Sequence, residues 1–336
     1  VSGDVVFFGT ALTEIAPDVF ANLQVVGGKF LIGHNNDMKS IKGFRQLHVV
    51  GGDLKVEQNE KLLDFEVISV VTVGGALQIL TNGKLTAAII PNVETVANEL
   101  EVKENNEMKS VAFTRLQTVG GAWRVQSCNQ LQTVDMQALE SIAGEFTMTS
   151  LQNVKTVILS NLTKVEMNAG GSFRLTDCYQ MQTLDLSLLA TINGHFYFQS
   201  NHAMKSLNWP ELTNIKGQCS IQSNSAIDDI TFASLQQLGS NLQISSNSRL
   251  TVITMPELTE IQSSVTIANN QMLSAIKDFG KLTLVKSNFQ IYNNVKLQCV
   301  RGFSNLAQIE GQLCLRDNSK LFMCDELSDS LKAAAD

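Results

Sequence analysis

The sequence predicts an all-β chain wound into a parallel β-solenoid, a β-helix of about 14 coils of 23–24 residues. Three observations carry this prediction. Asparagine recurs at the seventh place of ten repeats, namely Asn35, Asn59, Asn82, Asn105, Asn201, Asn224, Asn247, Asn270, Asn294 and Asn318. Cys128, Cys178 and Leu151 fill that place in three others. The repeats, counted from Lys29, are 23 or 24 residues long, apart from one of 27.

Within each repeat, the apolar residues follow the period of a β-strand. They stand at the second and fourth places, as in Phe196 and Phe198, and again at the thirteenth and fifteenth, with polar neighbours between them. No helical period is sustained through the repeats. Each coil is therefore expected to hold two or three short strands joined by corners, and stacked coils bury a common core.

The repeated asparagine has a structural explanation. Its amide offers two donors and one acceptor oxygen, so at a corner it can turn inward and bond the backbone of its own coil and the next. Stacked amides of this kind form ladders. Cysteine can replace asparagine because a small buried thiol is a weak donor. The set is therefore expected to be structural and not catalytic.

The chain is expected to be a single domain over residues 1–336. Residues 1–28 form an irregular first coil and cap, residues 29–324 the repeats, and residues 325–336 a helical cap with Leu327 and Leu331 on one side. Four extra residues around Glu166 to Ala169 predict a surface bulge in the 27-residue coil. The large aromatic residues of the inward positions are expected in the core, namely Trp123, Phe146, Phe173, Phe196 and Trp209.

Composition and charge restrict the function classes. The chain is 44% hydrophobic and 17% charged, as in ordinary globular domains. No apolar run reaches the roughly 18 residues of a transmembrane helix, so direct membrane insertion is not expected. The net charge of −7, without a stripe of Lys or Arg, argues against nucleic acid as a partner.

The corners between strands carry a resemblance to a known family. Three coils read Lys-Gly-Phe-Arg-Gln-Leu at 42–47, Lys-Asp-Phe-Gly-Lys-Leu at 277–282 and Arg-Gly-Phe-Ser-Asn-Leu at 301–306, and others read Pro-Glu-Leu at 210–212 and 256–258. With the inward asparagines and the Val-Gly-Gly closures, almost the whole chain resembles the receptor L-domain, a leucine-rich-repeat relative found in insulin- and EGF-receptor ectodomains. It is closer to the fungal cell-wall and spore-wall proteins that carry L-domain repeats on a GPI anchor.

The resemblance implies a right-handed solenoid in an extracellular, cell-surface setting. The chain departs from the receptor pattern because it is one long array without a Cys-rich module. It also shows no GPI-type hydrophobic tail within residues 1–336, so the resemblance does not extend to the anchor.

Cysteines and one sequon add candidate modification sites. Cys299 and Cys324 fall at nearly matching places on adjacent coils, which favours a disulfide there. Cys314 has an outward place and no obvious partner unless it takes one of those two, so it is a candidate intermolecular thiol. Cys219 is expected to be a core thiol. Asn161, in the sequence Asn-Leu-Thr, is a candidate glycosylation site.

The sequence offers few residues for catalysis. The four histidines do not cluster, no Cys/His spacing fits zinc, and no phosphate loop or nucleophile elbow occurs. No cofactor or metal is therefore predicted. The outward third and fifth places lack a carboxylate pair on adjacent coils, which argues against a glycosidase, although a polysaccharide-acting β-helix enzyme remains the alternative function. Ice binding would need a regular threonine ladder, which Thr147, Thr149 and Thr176 do not make.

The outward places instead hold a candidate binding face, comprising Arg124, Arg174, Tyr197 and Tyr292. Tyr and Arg are favoured at interfaces, but scattered exposed aromatics are also common on solvated surfaces. The sequence therefore predicts a non-enzymatic extracellular solenoid. It is either a structural subunit of a wall, surface layer or appendage that self-associates, or a recognition or adhesion module that binds a protein or glycan.

Overall fold

A computed structural model describes residues 1–167, 171–300 and 302–322, with only the backbone of Cys299. The fold class is confirmed: the chain is a parallel β-solenoid of about 13 turns, and its described residues contain no helix. The chain divides into two compact units, the first comprising residues 1–166 and 177–186 and the second residues 167–176 and 187–336. The assignment of all 336 residues to one domain stays a prediction.

In the first unit each coil contributes strands to three stacks. The long-strand sheet consists of Val5–Phe8, Phe30–Gly33, Leu54–Glu57, Leu77–Leu80, Leu100–Lys103, Trp123–Gln126 and Phe146–Thr149. The middle strands are Glu14–Ile15, Ser40–Ile41, Asp64–Glu66, Ala87–Ile89, Ser110–Ala112, Thr133–Asp135, Thr156–Ile158 and Thr183–Asp185. The short strands are Val25–Val26, Val49–Val50, Thr72–Val73, Thr95–Val96, Thr118–Val119, Ser141–Ile142 and Lys164–Val165.

The second unit repeats the arrangement. Its long-strand sheet consists of Ser172–Thr176, His195–Gln199, Cys219–Gln222, Leu242–Ser245, Val265–Ala268, Phe289–Tyr292 and Leu313–Cys314. The middle strands are Ser206–Asn208, Asp229–Thr231, Val252–Thr254, Ala275–Lys277 and Cys299–Val300. The short strands are Thr191–Ile192, Asn214–Ile215, Gln237–Leu238, Glu260–Ile261, Leu284–Val285 and Gln308–Ile309.

The register of the long strands explains the apolar code. Leu77 pairs with Leu100, and Leu100 with Trp123, and all three side chains are buried. The residues that follow them, Glu101 and Arg124 among them, face outward because successive side chains of a strand point to opposite sides. Identical parity in successive coils therefore stacks apolar residues into the core of each unit.

Aromatic side chains stack within this core. Trp123 lies parallel to Phe146 with ring centroids 4.6 Å apart, and its indole N–H donates to the sulfur of Met136 at 2.9 Å. Trp209 packs edge-on against Phe196 at 5.1 Å. The expected core placement of the five large aromatic residues is confirmed, since Trp209 is 2% exposed and the other four are fully buried.

Each long strand ends in a residue with left-handed backbone conformation. The sixth place of the coil has a positive φ between 50° and 59°, at His34, Gln58, Thr81, Glu104, Ser127, Ser150, Asp177, Ser200, Ser223, Ser246, Asn269, Asn293 and Asp317. In the first coil glycine fills this place, at Gly9 with φ of 62°, but none of the thirteen residues above is glycine, although L-residues visit this region at a cost. This residue turns the chain so that the next side chain, at the seventh place, points inward.

The first coil is more regular than expected. Residues 4–28 were expected to be irregular, but the strands Val5–Phe8, Glu14–Ile15 and Val25–Val26 all pair in parallel with the next coil. The apolar code persists in this coil, since Ile15 and Val26 are buried and pair with Ile41 and Val50 of the next coil. The predicted bulge lies partly outside the described residues, and the predicted helical cap lies wholly outside them.

Candidate binding face and asparagine ladder

The repeated asparagines are buried and each bonds to several coils. Asn247 accepts at Oδ1 from the backbone N–H and the side-chain amide of Asn224, at 3.0 and 3.1 Å. Its Nδ2 donates to the carbonyl of Ile221 at 3.0 Å and to Oδ1 of Asn270 at 3.3 Å. One side chain thus joins three consecutive coils, including the preceding coil, which the sequence did not predict. The expected bond to a carbonyl of the same coil occurs, for example, at Asn82.

The first coil supplies the start of this ladder. Thr10 occupies the seventh place and donates to Oδ1 of Asn35 from its backbone N–H at 2.8 Å and from its hydroxyl at 2.7 Å. A hydroxyl replaces the amide here, a substitution that the sequence comparison of repeats did not reveal.

Cysteine and leucine interrupt the ladder in the middle of the chain. The Cys128 thiol donates to the carbonyl of Gln126 at 3.4 Å, and burial raises its pKa to about 11. Burial likewise raises the pKa of Cys178 to about 12. Leu151, fully buried between these positions, offers no polar atom. The ladder is therefore structural and is broken into two runs of amides.

On the first unit, the outer side of the long-strand sheet is charged and internally paired. Arg124, of the predicted binding face, lies between Glu99 at 2.9 Å and Glu145 at 3.4 Å. Lys55 pairs with Glu57 at 2.9 Å. Arg124 is 29% exposed, and two of its five N–H donors are used by its carboxylate partners. This part of the predicted face is occupied by the protein's own ion pairs.

The same side holds a pair of carboxylates, Glu99 and Glu101, of which the sequence reasoning missed Glu99. The amide nitrogen of Gln78 contacts Oε1 of Glu99 at 2.5 Å and Oε2 of Glu101 at 3.5 Å, so these carboxylates are close together. The search of the third and fifth places overlooked Glu99 because it stands at the first place of its coil. Glu99 could have been found from strand alternation, which puts the first, third and fifth places on one side of the sheet.

On the second unit, the outer side of the long-strand sheet carries a different chemistry. We call it the amide face. One of its two rows is Arg174, Tyr197, Ser220, Gln243, Thr266, Gln290 and Cys314, and the other is Thr176, Gln199, Gln222, Ser245, Ala268 and Tyr292, with Arg316 beyond its end. None of these described residues bears a carboxylate.

Each tyrosine of the amide face is paired with an arginine. The guanidinium carbon of Arg174 lies 4.4 Å from the ring centroid of Tyr197, and that of Arg316 lies 5.1 Å from the ring of Tyr292. Such cation–π contacts orient both side chains. The predicted face residues Arg174 and Tyr197 are therefore brought together, while Tyr292 lies several strands away with a partner that was not predicted.

Between the tyrosines, the amides hold one another in place. Ser220 accepts from the side-chain amides of Gln199 at 3.3 Å and Gln222 at 2.7 Å. Gln218 donates to Gln243 at 3.3 Å. These side chains form a polar strip. Ser220 is fully buried in it, and Gln222 and Gln243 are half-buried.

The candidate modification sites have mixed outcomes. Cys314 is a half-buried free thiol whose pairing with Gln290 puts it on the amide face. Cys219 is a buried free thiol, and burial raises its pKa. Asn161 is exposed in a turn. Cys324 and the side chain of Cys299 lie outside the described residues, so their disulfide stays a prediction.

No family model matches the chain. Within residues 1–167, 171–300 and 302–322, no three His, Cys, Asp or Glu side chains are grouped so as to hold a metal ion. The same part of the chain has no helix that is long and apolar enough to span a membrane.

Proposed function

We propose that this chain is a non-enzymatic recognition or adhesion module that works outside the cell and binds an extended partner along its long-strand sheet. The amide face carries this proposal. It combines two Tyr–Arg pairs with uncharged hydrogen-bonding groups and lacks carboxylates among its described residues. Tyr and Arg dominate the energetics of many interfaces.

The contrast between the two units supports this choice of surface. On the first unit, Arg124 and Lys55 are neutralised by neighbouring glutamates. Exposed ion pairs of this kind are common on solvated surfaces and contribute little. On the second unit Arg174 and Arg316 lie against tyrosine rings, although Arg316 also lies 3.8 Å from the carboxylate of Asp317. The extracellular setting rests on the resemblance of the repeats and agrees with the exposed sequon at Asn161.

Solution mass separates this function from the structural-subunit alternative. We expect light scattering of the full chain to give the mass of one chain, 36.7 kDa, with and without reductant. A larger species that persists in reductant would overturn the recognition module in favour of assembly through surfaces. A larger species that dissociates in reductant, and that does not form with Cys314→Ser, would favour a disulfide-linked assembly.

Partner screening tests recognition directly. The full chain is screened against arrays of glycans and of purified extracellular proteins, and every hit is retested with Gln243→Glu, which puts a carboxylate on the amide face. Gln237→Glu, on an exposed short strand, is the matched control. We expect hits that the first variant weakens and the control retains. An absence of hits, or hits that both variants retain, would contradict binding through this face.

Glu99 and Glu101 keep one enzymatic candidate open, a polysaccharide hydrolase. Their proximity is the observation in its favour, since paired carboxylates perform glycoside hydrolysis. Against it, Glu99 is bound to Arg124, and the pair lies on an outer sheet surface. We expect no reducing sugar to be released from polysaccharides. Release that Glu99→Gln and Glu101→Gln abolish, and the exposed control Glu107→Gln retains, would establish the enzyme.

A further inference from the structure

The amide face is periodic along the direction in which the coils stack. Ser220, Gln243 and Thr266 are consecutive partners in one row, and Gln222, Ser245 and Ala268 are consecutive partners in the other. Neighbouring strands are about 4.8 Å apart, so hydrogen-bonding side chains repeat at that interval in the first row. The second row includes the apolar Ala268, and Ser220, Ser245 and Ala268 are buried, so the half-buried Gln222, Gln243 and Thr266 are the groups that a ligand can reach. A surface with this repeat is matched to a ligand that itself repeats at a short interval.

The groups on the strip are uncharged donors and acceptors. Gln199 and Gln222 are held through their amide nitrogens by Ser220, and Gln243 is held by Gln218. Side chains that are fixed before binding lose less conformational entropy when a ligand arrives. Amides and hydroxyls pair well with the hydroxyl groups of sugars, each of which is both donor and acceptor.

The two tyrosines mark the ends of the strip. Three long strands separate the strand of Tyr197 from that of Tyr292, namely Cys219–Gln222, Leu242–Ser245 and Val265–Ala268. The two residues are therefore on the order of 19 Å apart along the stack. An arginine covers one face of each ring, so a sugar can contact the remaining apolar ring surface and the polar hydroxyl at its edge.

We propose that the amide face binds a linear glycan that runs along the stacking direction, over the roughly 19 Å between Tyr197 and Tyr292. This inference rests on the proposed recognition function and names its ligand class. A nucleic acid would need a stripe of Lys or Arg, which the face lacks. A peptide that adds as a strand would bind a sheet edge, whereas this strip is a sheet surface.

Calorimetry on the full chain tests the ligand class and its length. The probes are cellohexaose, laminarihexaose and chitohexaose, each compared with its disaccharide. We expect at least one hexasaccharide to bind and its disaccharide to bind at least tenfold more weakly, because a short ligand spans only part of the strip. Failure of all three hexasaccharides to bind, or equal affinity for hexasaccharide and disaccharide, would overturn the proposal.

Variants test the location. We expect Tyr197→Ala and Tyr292→Ala each to weaken hexasaccharide binding about tenfold, since an aromatic contact contributes up to about 1.5 kcal/mol. Gln243→Glu, which keeps the shape of the side chain, is expected to weaken it as well, while Gln237→Glu is not. Circular dichroism and the melting temperature verify that each variant is folded. Binding unchanged in all three face variants would overturn the location.

Failure of this inference is distinguishable from failure of the recognition function. A monomeric chain that binds an extracellular protein through the amide face, and none of the three hexasaccharides, would refute the glycan and leave recognition standing. A chain that self-associates and binds neither would refute both.

Discussion

At the scale of single residues, the buried asparagine concentrates several hydrogen bonds in one side chain. Asn247 makes four of them, with Ile221, Asn224 and Asn270. Among the described residues, no buried side-chain nitrogen or oxygen lacks a partner. Removal of one amide from this ladder leaves several buried groups on neighbouring coils without partners, and each such group costs about 1–3 kcal/mol.

Asn247→Ala is therefore expected to lower the free energy of unfolding by about 3 kcal/mol or more, because it leaves buried groups on two coils without hydrogen-bond partners. Asn247→Cys should lower it less, since the chain itself uses cysteine at this place in Cys128. Urea unfolding followed by circular dichroism measures both. Ser248→Ala, at the exposed neighbouring residue, is the control. Equal midpoints for wild type and Asn247→Ala would refute the ladder as a source of stability.

A second residue-scale prediction concerns the left-handed sixth place. Thr81 has φ of 54°, a conformation that a β-branched residue adopts at a cost. Thr81→Gly is expected to raise the unfolding free energy by about 1 kcal/mol, because relief of strain of about 1–3 kcal/mol exceeds the entropy that glycine adds to the unfolded chain. Thr118→Gly, in an ordinary strand, should be destabilising by comparison. A lower free energy of unfolding in Thr81→Gly than in the wild type would contradict backbone strain at Thr81.

The buried thiols give a prediction about pH. The folded-state pKa of Cys128 is raised from 9.0 to about 11, so the folded state holds its proton more tightly than the unfolded state does. The associated stability is present below pH 9.0 and is lost as the pH rises towards 11. We expect a lower urea midpoint at pH 10.5 than at pH 8, and a smaller fall in Cys128→Ala. At pH 8, iodoacetamide should modify Cys314 before Cys128, as peptide mapping would show. A fall in the urea midpoint between pH 8 and pH 10.5 that is equally large in Cys128→Ala would contradict the assignment of this pH dependence to Cys128.

At the scale of the structural element, glycine sets how closely successive coils approach. A Cβ at Gly74 would lie 2.3 Å from the carbonyl oxygen of Gly51, whereas one at Gly83 would meet nothing within 4 Å. Gly74→Ala should therefore force the coils apart and cost about 1–3 kcal/mol. Gly83→Ala should be neutral or slightly stabilising. Differential scanning calorimetry compares the two, and equal melting temperatures would show that the approach is not tight.

The long strands were the elements that could be predicted from the period of the sequence. Alternation identified the long strands and their inward residues, because burial of a common face imposes one parity on every coil. The inward place of Asn247 was predicted because an inward amide can satisfy the backbone groups of a corner. The regularity of the first coil was missed although Ile15 and Val26 keep the apolar places, because Thr10 stands in place of the ladder asparagine.

The candidate site was less predictable than the strands. Arg174 and Tyr197 were both assigned to the outer surface, but their mutual contact depends on register and rotamer. Arg124 was assigned to the same surface, yet its two glutamates occupy it. A surface position is specified by the strand period, whereas its partner depends on which charged or aromatic side chain stands beside it on the neighbouring coil.

At the scale of the whole molecule, repetition makes complete coils removable. Deletion of residues 219–241 would place Phe196 beside Leu242 and Asn201 beside Asn247, which restores the register of every stack. We expect this variant to fold with a modestly lower urea midpoint. Deletion of residues 219–229 removes half a coil and should abolish folding, as circular dichroism would show. Comparable stability of the two deletions would contradict a repeat in which each coil contacts only its neighbours.

The direction of the hydrogen bonds in the asparagine ladder has an electrical consequence. From Asn224 to Asn294, each side-chain amide donates one N–H to the oxygen of the next asparagine, towards the C-terminal coils, and also donates to a carbonyl of the preceding coil. The amide-to-amide hydrogen bonds therefore run head to tail, with the oxygen end of the row on the N-terminal side, and each polarises the next. Such a row behaves as one extended dipole inside the core. An amide in its middle is polarised from both sides, and one at its end from a single side.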